Sequence, residues 1–237
     1  MEITWYGYNC FGLKTKDGAM IVDPYKNDVG LKLPALKGNV VIVSDQENQS
    51  NNAEGVSGDP KILTLPGEYE VSGIAITGME LSESKSEEKS DKKKSASSSS
   101  ASTQKKSRIY SFDADGLKVC YITDFVVPLT EDQLETIGDV DVLVAPVRGN
   151  LEELHKSIEE IEPRIVIPIS YKTGGLKAEA GDLETFLKKN WHASRSNLSP
   201  KIFRKQPHRF TSGKNRIHNF GGHTVDTRAA QCPNPHY

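Results

Sequence analysis

Residues 39–52 read NVVIVSDQENQSNN. Val40 to Val43 form a continuous β-branched run, the kind that fits a strand buried on both faces. The run ends directly in short polar side chains, which places Ser44 and Asp45 at a strand's carboxyl end, the usual address for a site in layered α/β folds. Imidazole, the commonest side-chain ligand for metals, is missing there, and the first histidine of the chain is His155.

Upstream, Ile3 and Trp5, then Cys10, Phe11 and Leu13, then Ala19 to Val22 alternate as short strands, with turns at Gly7 and Asp17-Gly18 and an exit at Asp23-Pro24. Downstream, Lys61 to Leu65, Glu68 to Val71 and Ile74 to Thr77 read as three more strands, broken by Pro66-Gly67 and Gly73. Within them, Glu68 and Tyr69 need only structural roles, a turn and a packed ring.

From Ser82 to Ser107 no apolar residue is larger than alanine, and serine and lysine dominate. Such a segment cannot offset its ordering entropy, so 82–107 is expected to be a disordered insertion between two strands. Its seven lysines and four acids are those of a solvated spacer, and no nucleic-acid partner is expected. Order resumes at Arg108 with two strands around Asp115-Gly116, the strongest hairpin signal in the chain.

Thr130 with Gln133 three residues on is a capping box, opening a short helix to Ile137. Asp141 to Val147 is a further buried strand. Asn150 caps a helix in which Leu151, Leu154, Ile158 and Ile161 recur at helical spacing until Pro163 stops it. His155 falls on its polar side and is expected to be a surface residue. Arg164 to Ile169 gives a strand and Asp182 to Lys189 a helix. Strands dominate first and then alternate with helices, so the class is α/β or mixed, built in layers.

The chain of 237 residues suits one principal domain, residues 1–190, and a net charge of −2 exerts no global pull toward nucleic acid or anionic lipid. That balance conceals a basic end: residues 191–237 carry eight Lys or Arg against Asp226 alone. This tail shows no strand or helix period and holds five of the six histidines without metal spacing. It is expected to be either disordered or the product of a shifted reading frame, which translation of the encoding DNA in its other frames would decide. Cys10, Cys120 and Cys232 are odd in number and far apart, which fits reduced thiols better than a disulfide framework. The start of the chain shows neither a basic leader nor a long apolar run, so a cytoplasmic protein without a membrane span is expected.

Several stretches, in this order, resemble the metallo-β-lactamase fold superfamily, in its branch of zinc-dependent hydrolases similar to ascorbate-6-phosphate lactonases. They are ITWYGYNCF (3–11), IVDPY (21–25), LPGEYEVSGI (65–74), Thr123-Asp124, LTEDQLETIGDVDVLVAPV (129–147) and IVIPISYK (165–172). The resemblance spans roughly residues 2–189 and implies a four-layer αββα sandwich with zinc at the strand ends.

The departures fall on the chemistry. Against the family's His-x-His-x-Asp-His, this chain places Asp45 and Glu47 at the first two histidine positions, Gln49 at the aspartate and Ser50 at the last histidine. Ser170 stands at the histidine of the family's Pro-Met-His-Tyr segment, Tyr8 at an early histidine, and a further histidine after Gly73 has no counterpart. Of the implied ligands only Asp124, matching the bridging aspartate, is retained. A full ligand set contributes on the order of 10 kcal/mol or more to a structural zinc site, and glutamine or serine neither carries the charge nor donates as imidazole does. No catalytic residue, no zinc and no other cofactor are therefore expected. Asp45, Glu47 and Asp124 could still gather around a hard cation, Mg²⁺, Mn²⁺ or Ca²⁺; alternatively, the first two are solvated loop residues and Asp124 accepts backbone hydrogen bonds. Two functional classes stand: a non-catalytic binding or scaffold module with an unknown small-molecule or protein partner, or a metal-dependent hydrolase acting through residual carboxylates. A decayed gene product is the third alternative.

Overall fold

The computed structural model describes residues 1–46, 49–81, 107–124, 128–193, 201–202, 208–211, 216–219 and 224–226. Its strands are β1 (Glu2–Gly7), β2 (Cys10–Lys14), β3 (Ala19–Val22), β4 (Leu36–Lys37), β5 (Val40–Ile42), β6 (Val56–Ser57), β7 (Lys61–Leu63), β8 (Glu68–Val71), β9 (Ile74–Leu81), β10 (Ser107–Ala114), β11 (Leu117–Ile122), β12 (Val142–Pro146) and β13 (Ile165–Ile169). Four short ones follow, β14 (Lys201–Ile202), β15 (His208–Thr211), β16 (Arg216–Asn219) and β17 (Thr224–Asp226). The helices are α1 (Glu131–Ile137), α2 (Leu151–Ile161) and α3 (Leu183–Ala193). None of the described helices is long and apolar enough to cross a membrane.

Two mixed sheets form the body. One runs β17-β16-β15-β1-β2-β3-β5-β7 and the other β14-β13-β12-β11-β10-β9-β8. The period of two sorts the first sheet's side chains cleanly. Phe11, Met20, Val22, Val40 and Ile42 face the second sheet's Tyr110, Tyr121 and Val144 in the main core, whereas Cys10, Ile21, Val41 and Val43 face a second cluster with Tyr25, Val29, Leu36 and Val56. Both faces of Val40–Val43 are therefore covered, as its unbroken apolar run requires. The covering on this side includes the 3-10 turns at Asn27–Val29 and Ala53–Gly55, the β4–β6 pair, and Leu31, Leu33, Leu176 and Ala178. Helices α1 and α2 send Ile137, Leu154, Ile158 and Ile161 into the main core.

Local signals act where the sequence places them. Thr130 Oγ1 accepts from the Gln133 amide and Gln133 Oε1 from the Thr130 amide. Asn150 Oδ1 accepts from the Glu152 and Glu153 amides at the start of α2. Asp115 and Gly116 both take positive φ, 52° and 73°, which is the turn that matches the twist of β10 and β11. Glu68 lies in β8, and Tyr69 is half-buried with its hydroxyl donating to the Leu65 carbonyl.

Two expectations change. His155 is half-buried, its ring stacked on Phe186 with centroids 5.5 Å apart, because α3 packs across that flank of α2. Ser107, counted with the insertion, opens β10 and is buried; residues 82–106 lie outside the described ones. In the tail, α3 continues to Ala193, β14 pairs with β13, and β15 pairs with β1. The rest of the tail, and with it the expectation of disorder or a shifted frame, lies outside the described residues.

Candidate functional site

The carboxyl ends of β5, β11, β12 and β13 and the two-residue turn between β1 and β2 meet at one rim of the sandwich. Each contributes polar side chains, and these bond to one another.

Asp124 follows β11 and is 8% exposed. Its Oδ1 accepts from Arg148 Nε at 3.1 Å and its Oδ2 from Arg148 Nη2 at 3.4 Å, a side-on two-point pair. Arg148 follows β12 and is 7% exposed. Its Nη1 donates to the Tyr8 hydroxyl at 3.0 Å, and its guanidinium carbon lies 5.6 Å from the Tyr8 ring centroid. Burial on its own would lower the Arg148 pKa, but Asp124 and then Tyr8 and Tyr121 outweigh it and hold the guanidinium above its ordinary value. The charge on Arg148 is permanent at any physiological pH.

The other half of the rim is uncharged. Asn9, in the β1–β2 turn, donates from Nδ2 to Ser50 Oγ at 3.2 Å, and Ser170 Oγ donates to Asn9 Oδ1. All three are buried. The Ser170 amide donates to the Tyr8 carbonyl at 3.0 Å, as does Trp5 Nε1, which ties β13 to the turn. Tyr8 and Ser170 both sit at positive φ, 48° and 59°, a conformation that costs a non-glycine residue about 1 kcal/mol or more.

Beneath both halves lies Asp23, fully buried at the end of β3 and also at positive φ. It accepts from the Ser44 amide at 2.7 Å, the Ser44 hydroxyl at 2.6 Å and the Tyr121 hydroxyl at 2.7 Å, so one carboxylate joins the two sheets. Burial pushes its pKa up, opposed by the two Ser44 bonds, the Tyr121 bond and the charge of Arg148. Burial likewise raises the Cys10 thiol, with Asp23 adding to the shift, so this cysteine is a packed hydrophobe and no thiolate nucleophile. Arg108, at the start of β10, donates to the Ser44 and Thr64 carbonyls, and the Ser107 hydroxyl donates to the Asp124 carbonyl.

Of the three carboxylates read as cation candidates, Asp124 is buried and paired with Arg148, Asp45 is half-buried just past β5, and Glu47 lies outside the described residues. Ser50 and Ser170 are brought together by Asn9. Among the described residues neither hydroxyl bonds to a base: the amide between them accepts no proton at ordinary pH. Sequence reasoning missed Arg148, Asn9 and Asp23 as rim residues. The available signal was a charged or amide side chain directly beyond an apolar strand, in VAPVR, YGYN and MIVD.

The domain profile described as "Beta-lactamase superfamily domain" matches residues 2–170. A solved Thermotoga maritima protein named for the Zn-dependent hydrolases of the metallo-β-lactamase superfamily is 29% identical, with a TM-score of 0.62 over 79% of this chain and 84% of that one. The metallo-β-lactamase fold protein YhfI from Bacillus subtilis matches at 10% identity and a TM-score of 0.57, covering 88% of this chain and 98% of its own, a likeness of fold. No curated protein matches. With the profile spanning well over half its length, and the sandwich and its strand-end rim in place, this chain belongs to the β-lactamase superfamily and has the metallo-β-lactamase fold.

Proposed function

We propose that the chain is a non-catalytic member of its superfamily, the sandwich kept as a binding or scaffold module whose zinc-binding histidines have been replaced. The observation that carries this reading is the pairing of Asp124, the one ligand position retained, with an internal guanidinium. Zinc takes thiolate, imidazole or carboxylate ligands in tetrahedral array. The described side chains at the corresponding positions are Asp124, already committed to Arg148, the half-buried Asp45, the amide Gln49, and the hydroxyls of Ser50 and Ser170 bonded to Asn9, with the Tyr8 phenol accepting from Arg148 beside them; Glu47 lies outside the described residues. That donor set does not fit zinc, and no hydrolytic step is derived through it. The partner would be a small molecule or a protein, and the protein would act in the cytoplasm without nucleic acid or membrane.

The test is elemental analysis of protein purified from zinc-supplemented medium, together with hydrolysis assays on lactone and β-lactam substrates with and without added Zn²⁺, Mg²⁺, Mn²⁺ and Ca²⁺. The expected result is substoichiometric metal and no turnover above a heat-treated control. Tightly held stoichiometric zinc, or metal-dependent hydrolysis, would overturn the proposal in favour of the second reading. That reading, a lactonase-like metal-dependent hydrolase acting through Asp45, Glu47 and Asp124, is favoured by the likeness to the Thermotoga maritima protein.

A further inference from the structure

We infer that Arg148 is the built-in cation of this cleft, its guanidinium supplying on Asp124 the positive charge that a divalent ion would otherwise supply. Three observations converge on it. Arg148 meets the carboxylate that matches the family's bridging aspartate, and it meets both of its oxygens. Its Nη1 crosses to the Tyr8 hydroxyl, so one planar group ties the aspartate that the resemblance assigns to metal binding to the β1–β2 turn, where the resemblance has an early histidine. The side chains of Arg148 and Asp124 are 7% and 12% exposed, so little water is left to screen the pair, and an unpaired carboxylate there would be stranded.

The geometry also shows how the chain fixes the guanidinium. Residues 172–181 leave the rim, bond to the Val29 carbonyl through the amides of Lys177 and Ala178, and return so that the Gly181 amide donates to the Ser170 carbonyl. At Gly181 a Cβ would lie 1.3 Å from the Val147 carbonyl oxygen and 3.2 Å from the Arg148 amide. Only glycine lets that segment lie against the peptide from which the Arg148 side chain springs.

This inference rests on the reading of Asp124 as the surviving ligand position and is independent of whether the protein turns anything over. Thermal unfolding of the full chain tests it, using wild type, Arg148→Met, Asp124→Asn and the double variant, each with EDTA, with zinc and with millimolar calcium. Wild type should unfold at the same temperature in all three. Arg148→Met should unfold about 10 °C lower, and calcium should raise it by several degrees because the freed carboxylate then accepts an external cation. The double variant should regain at least half of the loss. A wild-type transition that falls in EDTA or rises in zinc overturns the inference, as does an equal calcium response in wild type and Arg148→Met. If Arg148→Met does not fold, the double variant decides: recovery of a cooperative transition supports the charge coupling, and failure to recover overturns it.

Discussion

The two halves of the rim pair their polar groups by different physics. Around Asp124 and Arg148 the solution is a full charge pair with a third partner in Tyr8. Around Ser50 and Ser170 it is a neutral chain, hydroxyl to amide to hydroxyl, through Asn9. The charged half depends on both partners being present, since breaking a buried ion pair costs more than deleting it. The neutral half involves smaller desolvation terms and tolerates loss in proportion. Strand ends that converge on a point must have their polar groups paired with something, and these halves show that an arginine or an asparagine can each do so.

This contrast can be broken experimentally. Arg148→Met should cost about 3–5 kcal/mol in denaturant unfolding, and a cost no larger than that of a neutral-half variant would erase the distinction. Gly181→Ala, which drives a methyl into the Val147 carbonyl, should cost about 3 kcal/mol and lower the protection of the Arg148 amide in hydrogen exchange; unchanged exchange there would mean the segment does not hold the peptide. Asn9→Ala strands two buried hydroxyls and should cost about 2 kcal/mol, with stability additive to Arg148→Met if the halves are independent and strongly non-additive if they are one network.

The smallest expected effect is a pH slope at Asp23. Its folded pKa is raised by burial, so the stability it contributes is fully present below its unfolded pKa and declines as pH rises through the folded value. Asparagine cannot titrate. The stability difference between wild type and Asp23→Asn should therefore shrink with rising pH, by at most about 1.4 kcal/mol per pH unit. A difference that grows with pH in urea titrations between pH 4 and 8 would show that the Ser44 and Tyr121 hydrogen bonds outweigh burial.

Much of the architecture was legible because its signals are local. Thr130 and Gln133 reciprocate as a capping box, Asn150 caps α2, and Asp115-Gly116 turns β10 into β11. Val40–Val43 is apolar on both faces and is covered on both. Arg148 was not legible. Its partners lie 24 and 140 residues away, and nothing in VAPVR says which way the side chain turns. His155 was misplaced for the same reason: a helical wheel assigns it to the polar side, and only the docking of α3 brings Phe186 against its ring.

The sequence by itself determined which strands and caps form and which polar side chains stand at the strand ends, since propensity, turn chemistry and side-chain identity act within a few residues. Only the tertiary structure decided how those side chains pair. Charge compensation depends on distance in space: Asp124, Arg148 and Tyr8 belong to three separate segments, and their pairing exists only once two sheets have closed over a common core.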